Sequence, residues 1–159
     1  KASSTALYYW RQRDRTKEVM QGEWTGTGDR YRQDADGYYF HLGRSDDMIR
    51  ASGFWVSPVE VEEALLEHPG VAECAVVGEA DAQGLYKPKA FVVPGDGYGP
   101  GDDQLARELQ NWVKERLAPY KYPRAIAFVP ELPHTVTGKI QRFRLRTAPP
   151  TAPISRPGA

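Results

Sequence analysis

The pattern of hydrophobic and polar positions along the chain changes near Arg44. Before it, the short aromatic runs STALYYW and GYYFHLG are separated by the turn-forming sequences TGTGD and DADG. This pattern predicts strands and turns without a strong helix, in a segment too short to fold alone. We therefore expect residues 1–43 to be the end of a larger domain.

Beyond Arg44 the apolar positions predict strands and helices in alternation. MIRASGFWVSP predicts two short strands around a Ser52–Gly53 turn, and VAECAVVGE, KPKAFVVP and RAIAFVP predict three more. This order predicts a small α+β domain over residues 44–146, with helices packed on a sheet. The closing Pro-rich sequence TAPPTAPISRPGA lacks periodicity and is predicted to be disordered.

Two helices are predicted from their start signals and apolar repeats. In SPVEVEEALLEHPG, Ser57 is the expected N-cap, Pro58 fits the first helical position, and Glu60 completes a capping box. A polar loop over residues 95–101 precedes the second helix, which either Asp102 or Asp103 can cap. The predicted apolar positions are Val61, Ala64 and Leu65 in the first helix and Leu105, Leu109, Trp112, Val113 and Leu117 in the second.

Composition and charge narrow the possible functions. The chain has 159 residues, 40% of them hydrophobic, and a net charge of zero, so no overall field attracts nucleic acid or a membrane. It contains no apolar run long enough to span a bilayer and no visible signal peptide, and a cytoplasmic protein is expected. Cys74, the single cysteine, lies in an apolar stretch and is expected to be a buried, inert thiol.

Charge is nevertheless distributed unevenly along the chain. Residues 51–86 include seven acidic residues and no Lys or Arg, whereas residues 114–146 include eight Lys or Arg against two Glu. The basic segment would suit a small anionic ligand, although a solvated charged face is the more common explanation.

The most distinctive local sequence is HTVTGKIQR, which places Lys139 directly after Gly138. A P-loop would require Gly at position 133 and Ser or Thr at position 140, where this chain has Pro133 and Ile140. What remains is a cation on a glycine-hinged loop, for which local chemistry alone favours an ordinary surface turn. The three histidines show no metal-ligand spacing with Cys74, and no metal site is predicted.

Three motifs, taken in order, resemble the adenylate-forming superfamily, which includes acyl-CoA synthetases, luciferases and peptide-synthetase adenylation domains. The motifs are TGD (27–29), DGYYFHLGRSDDMIRASGFWVSPVEVE (36–62) and PHTVTGKIQR (133–142). The sequences SGFWVSPVEVE, GLYKPKAFVV and APYKYPR resemble benzoate-CoA ligases in particular. The resemblance implies that residues 1–45 are the tail of a large N-terminal AMP-binding domain. Residues 46–146 would then be the mobile C-terminal domain of the same protein, and residues 147–159 would be a disordered tail.

The resemblance also implies roles for single residues. Asp29 would bind the ribose hydroxyls of ATP, Arg44 would contact the nucleotide, and Asp46 would be the hinge between the domains. Gly53 would line the tunnel for the pantetheine arm of CoA, and Lys139 would be the catalytic lysine of adenylation. Arg50 stands where family members often carry lysine, a change that keeps the charge.

By the same resemblance, the substrates would be ATP, CoA and an aromatic carboxylic acid, with benzoate favoured. Mg²⁺ would be bound mainly by the large N-terminal domain, which is also the expected protein partner, and this chain alone would be inactive. Two alternatives stay open: an adenylation domain that loads a carrier protein, and a non-catalytic domain that retains the fold.

Overall fold

The computed structural model describes residues 5–147, which form two compact units that divide between Asp46 and Asp47. The predicted disordered tail lies outside the described residues except at its first position. Among the described residues the longest helix has 14 residues, and no helix combines the length and apolar character needed to cross a membrane.

The first unit consists of one short helix and two antiparallel strand pairs. In chain order its elements are α1 (Arg13–Val19), β1 (Met20–Gln21), β2 (Trp24–Thr25), β3 (Asp29–Gln33) and β4 (Tyr39–Arg44). Strand β1 pairs with β2, and β3 pairs with β4.

The prediction for the start of this unit was wrong in two respects. Helix α1 forms where no strong helix was expected; it buries none of its residues, so it carries no apolar repeat to reveal it. The aromatic run before it is not a strand over its described residues. The backbone N–H of Tyr9 instead donates to Thr16 Oγ1 at 3.0 Å, which joins this run to the helix.

The second unit contains the predicted α+β domain. Its elements are β5 (Ile49–Ala51), β6 (Phe54–Val56), α2 (Pro58–Leu66), β7 (Val71–Ala80), β8 (Tyr86–Pro94), α3 (Asp103–Arg116), β9 (Ala125–Phe128) and α4 (Arg142–Thr147). Strands β5 and β6 form a hairpin, as predicted. The main sheet has the order β7-β8-β9, with β7 antiparallel and β9 parallel to β8.

The predicted N-cap residues start both helices. Ser57 Oγ accepts a hydrogen bond from the backbone N–H of Glu60 at 3.2 Å and starts α2. Asp102 Oδ1 accepts from the N–H of Leu105 at 2.8 Å, so Asp102 is the cap of α3. The last helix, α4, was predicted only as a basic segment, because three of its six residues are Arg and Leu145 is the only buried one among residues 142–146.

Alternate residues of the sheet face two separate apolar clusters. Cys74, Val76, Ala90 and Val92 pack in one cluster with residues of α2, α3 and the β5–β6 hairpin. Ala75, Val77 and Phe91 belong to the other cluster, with Leu132, Ile140 and Leu145 from the segment after β9. We call these the helix face and the loop face of the sheet.

The uneven charge distribution is explained in part by pairing within the second unit. Acidic groups on or beside α2 meet cations of the basic segment, so part of the local excess of six positive charges is neutralised internally rather than by a ligand. The pairs are Glu60 with Lys121 at 2.6 Å, Glu62 with Arg142 at 2.6 Å, and Glu67 with Arg116 at 3.4 Å.

Candidate functional site

Lys139 lies at the end of a tight turn. The N–H of Gly138 donates to the carbonyl of Thr135 at 2.9 Å, and the N–H of Thr135 donates to the carbonyl of Lys139 at 2.8 Å. Gly138 has a φ of 80°, a left-handed conformation that glycine adopts without steric cost. The Lys139 side chain is exposed, and no side-chain partner for it is found within residues 5–147.

The two ends of this turn are joined to each other and to the sheet. His134 and Ile140 form an antiparallel bridge, and Ile140 packs on the loop face of the sheet. His134 Nε2 lies 2.5 Å from Glu73 Oε1 on β7. We call residues 134–140 the Lys139 hairpin.

Just after the hairpin, Arg142 forms an ion pair that was not predicted from the sequence. Its Nη2 donates to Glu62 Oε2 at 2.6 Å, and its Nε donates to Glu62 Oε1 at 3.1 Å. Glu62 is 7% exposed, and its Oε1 also accepts from the backbone N–H of Val76 at 2.7 Å. The burial of Glu62 could have been predicted from the sequence. Glu62 lies four residues after Pro58 and three before Leu65, on a face that α2 buries.

Burial and hydrogen bonding act in opposite directions on the pKa of Arg142. Burial alone lowers it, but the hydrogen bond to Glu62 and the nearby carboxylates raise the pKa of Arg142 above its ordinary value. The guanidinium is therefore charged at any physiological pH.

Gly53 lies at the tip of the β5–β6 hairpin. Ser52 and Gly53 have φ values of 51° and 84°, the left-handed pair required by a two-residue turn of type I′. A Cβ placed on Gly53 would meet no other atom within 4 Å. Within this chain, glycine at position 53 is therefore favoured by its backbone conformation and not by lack of space.

Three further predicted site residues lie together in the first unit. Asp29 begins β3 and is directly opposite Arg44 at the end of β4, and such cross-strand partners project from the same side of a sheet. Arg44 Nε donates to Asp46 Oδ1 at 3.0 Å. The Asp29 side chain is 30% exposed, with the Nε2 atom of His41 3.9 Å from Oδ1.

Cys74 is buried, as predicted, at 3% exposure. Burial and, to a smaller extent, the nearby Glu62 and Glu73 carboxylates raise the pKa of Cys74 from 9.0 to about 12. At neutral pH the thiol is protonated and cannot act as a nucleophile.

The chain is similar in sequence and structure to several known proteins. A curated benzoate–CoA ligase from Thauera aromatica is 54% identical over 145 residues, which cover 91% of this chain and 27% of that protein. A crystal structure of an anthranilate CoA ligase in complex with anthranoyl-AMP superposes with a TM-score of 0.85 at 51% identity, covering 92% of this chain and 28% of that one. A benzoate CoA ligase from Burkholderia xenovorans LB400 gives a TM-score of 0.83 at 50% identity, covering 92% and 29%.

The chain thus spans between a quarter and a third of the length of these relatives. The family described as AMP-binding enzyme C-terminal domain matches residues 60–139, a range that runs from α2 to the catalytic-lysine position predicted from the sequence. Because this match includes half of the residues, the chain belongs to the AMP-binding enzyme C-terminal domain family.

Proposed function

We propose that the chain is the C-terminal portion of an ATP-dependent aryl-CoA ligase. Such an enzyme joins an aromatic carboxylic acid to AMP with release of pyrophosphate, and then transfers the acyl group to the thiol of CoA. Relatives named as benzoate and anthranilate CoA ligases support an aromatic acid, with benzoate favoured. We call the whole protein, with its N-terminal AMP-binding domain, the full-length ligase.

The observation that carries this proposal is the Lys139 hairpin. It presents an exposed ammonium group that has no side-chain partner in the described part of the chain, on a turn joined to the sheet at its base. A cation held in this way is available to an anion supplied from outside the unit. Lys121, by contrast, has its ammonium paired with Glu60 inside the unit.

In the first reaction, a carboxylate oxygen of the acid attacks the α-phosphorus of ATP, and the bond to the pyrophosphate oxygen breaks. Negative charge collects on the phosphoryl oxygens while a second anion approaches. We assign Lys139 to this step, because an ammonium placed between the carboxylate and the α-phosphate reduces their repulsion and stabilises the developing charge.

In the second reaction, the CoA thiol, having lost its proton, attacks the acyl carbon, and AMP leaves. We assign Gly53 to this step, at the surface that lines the path of the pantetheine arm. The Gly53 hairpin belongs to the helix face of the sheet and the Lys139 hairpin to the loop face. This arrangement supports a domain that turns between the two reactions and presents one face at a time.

In the first unit, we assign Asp29 to the ribose hydroxyls of ATP and Arg44 to the nucleotide. A carboxylate accepts two hydroxyl hydrogen bonds, and the arginine directly opposite supplies positive charge toward phosphate. The pairing of Asp29 with Arg44 across β3 and β4 supports a shared ligand. We assign Asp46, the last residue of this unit, to the hinge.

We further propose that residues 1–45 complete a larger N-terminal domain and that residues 46–146 form the mobile domain. The first unit leaves many aromatic side chains exposed, including Trp10 at 73% and Trp24 at 71%, which a larger domain would cover. Within residues 5–147, no group of three or more His, Cys, Asp or Glu side chains could hold a metal ion. We propose that Mg²⁺ is bound mainly by the N-terminal domain of the full-length ligase and that the protein is cytoplasmic.

The proposal is tested by the release of pyrophosphate from the full-length ligase with a panel of aromatic and aliphatic acids. We expect ATP-dependent release with benzoate or a close aromatic relative, followed by CoA-dependent formation of the thioester. Release without transfer to CoA, but with transfer to a carrier protein, would favour a carrier-loading domain. Absence of release with every acid would favour a non-catalytic domain. This chain alone should release no pyrophosphate, because it lacks most of the ATP site and the acid pocket.

A further inference from the structure

The Lys139 hairpin is held at both ends by residues that connect it to β7. At its start, His134 Nε2 lies 2.5 Å from Glu73 Oε1, and Glu73 is part of β7. Just beyond its end, Arg142 binds Glu62, whose Oε1 accepts from the N–H of Val76 in the same strand. Strand β7 is at the edge of the sheet, so its N–H at Val76 is available to a side chain rather than to a neighbouring strand.

The contact between Glu62 and Arg142 is a two-point pairing, in which Nε and Nη2 each donate to a different carboxylate oxygen. Two hydrogen bonds fix the orientation of the guanidinium and the carboxylate relative to each other. A single contact from a lysine ammonium would leave the two groups free to rotate about that hydrogen bond. Glu62 is itself fixed, because it is 7% exposed and accepts from the sheet. Through Glu62, Arg142 is therefore held in a fixed place relative to β7. Arg142 lies three residues after Lys139.

We propose that Glu62 and Arg142 are positioning residues for Lys139. They hold the end of the hairpin at a fixed distance from the sheet, so that the lysine reaches the reacting groups by movement of its own side chain alone. This inference rests on the proposed function, since it concerns the adenylation step assigned to Lys139. A displacement of about 1 Å can lower a rate by about 100-fold, so a residue that makes no contact with substrate can still govern the reaction.

The alternative is that the pair only stabilises the unit by holding α4 on the sheet, where Leu145 is 9% exposed. The two roles differ in what they predict for the separate reactions. Loss of a purely structural contact would lower adenylation and thioester formation together. Loss of a positioning contact would lower adenylation and leave the transfer of a supplied acyl-adenylate to CoA unchanged, because the Gly53 surface lies on the other face of the sheet.

The test uses Arg142→Lys in the full-length ligase, which keeps the charge and removes the two-point pairing. We expect the rate of adenylation to fall at least tenfold at saturating ATP and acid, with thioester formation from supplied acyl-adenylate within twofold of the parent. Arg116→Lys is the matched control: Arg116 also pairs with a glutamate of the α2 region, Glu67, but it is on α3, which packs on the helix face of the sheet. It should leave both rates within twofold.

A second variant, Glu62→Gln, removes the charge from the other partner and should give the same separation of the two rates. It keeps the inference testable if Arg142→Lys does not fold. Equal loss of both rates, or an unchanged adenylation rate, in a folded variant would overturn the inference. If the parent ligase adenylates no acid, the proposed function fails. If the parent ligase adenylates an acid but the folded variants lose both rates equally or keep the parent adenylation rate, only the positioning role fails.

Discussion

Gly53 and Lys139 lie on segments that pack against opposite faces of the same three-stranded sheet. The hairpin that carries Gly53 contributes Ile49, Ala51 and Val56 to the helix-face cluster. The hairpin that carries Lys139 contributes Ile140 to the loop-face cluster. The two residues therefore lie on segments that the sheet separates. If both act at one active site, this separation favours a unit that presents them in turn.

Substitution of Gly53 should affect the second reaction selectively. In the full-length ligase, Gly53→Leu should lower CoA-dependent thioester formation at least tenfold and leave acyl-adenylate formation within twofold, because the new side chain would occupy the path of the thiol arm. The two rates are measured separately, with supplied acyl-adenylate for transfer and pyrophosphate release for adenylation.

Gly84→Leu is the control for this substitution. Gly84 has a φ of 76° and, like Gly53, open space around its Cβ position, so leucine introduces the same backbone strain. Its variant should transfer the acyl group at the parent rate. If Gly84→Leu and Gly53→Leu lower transfer equally, the effect is one of strain, and Gly53 has no role in the tunnel.

Removal of the Asp29 carboxylate should weaken ATP binding. Asp29→Ala in the full-length ligase should raise the KM for ATP about tenfold or more, since a hydrogen bond to a charged group contributes about 1.5–3 kcal/mol. The KM is measured by pyrophosphate release at saturating acid. Asp36→Ala, at an exposed position in the turn between β3 and β4, should leave it unchanged. An Asp29→Ala enzyme with the parent KM would refute the assignment to ribose.

The buried thiol of Cys74 should make the second unit less stable at alkaline pH. Its pKa is raised from 9.0 to about 12, so the folded state binds this proton more tightly than the unfolded state does. The contribution is fully present below pH 9 and is lost progressively as pH rises from 9 to 12. Urea unfolding of this chain and of Cys74→Ala across this range should give curves that converge as pH rises, and parallel curves would show that Cys74 does not contribute.

The elements of the second unit were predictable where local signals agreed with burial. Ser57 and Asp102 act as caps because their side chains accept from the free N–H groups of the first helical turn, a relation set by sequence spacing alone. The strands β7 and β8 were predicted from continuous apolar runs, which a sheet covered on both faces requires.

The elements that were missed lack such signals. Helix α1 buries no residue, so no apolar period marks it, and the aromatic run before it was read as a strand from composition. The pairing of Glu62 with Arg142 joins residues 80 positions apart in sequence. Only the folded arrangement of α2, β7 and α4 brings them together. For Lys139, local chemistry favoured a surface turn, and the structure does contain a tight turn there. Its proposed catalytic role came from the order of motifs along the chain.

We propose above that Lys139 serves adenylation and not transfer. The most direct measurement compares the two half-reactions in the full-length ligase carrying Lys139→Ala, beside Lys114→Ala, an exposed lysine on α3. We predict that Lys139→Ala lowers acyl-adenylate formation by about 100-fold or more, the usual effect of removing a charge-stabilising group, and leaves transfer from supplied acyl-adenylate to CoA within twofold. Lys114→Ala should change neither rate. Equal loss of both half-reactions in Lys139→Ala, or full retention of adenylation, would refute the assignment of Lys139 to adenylation.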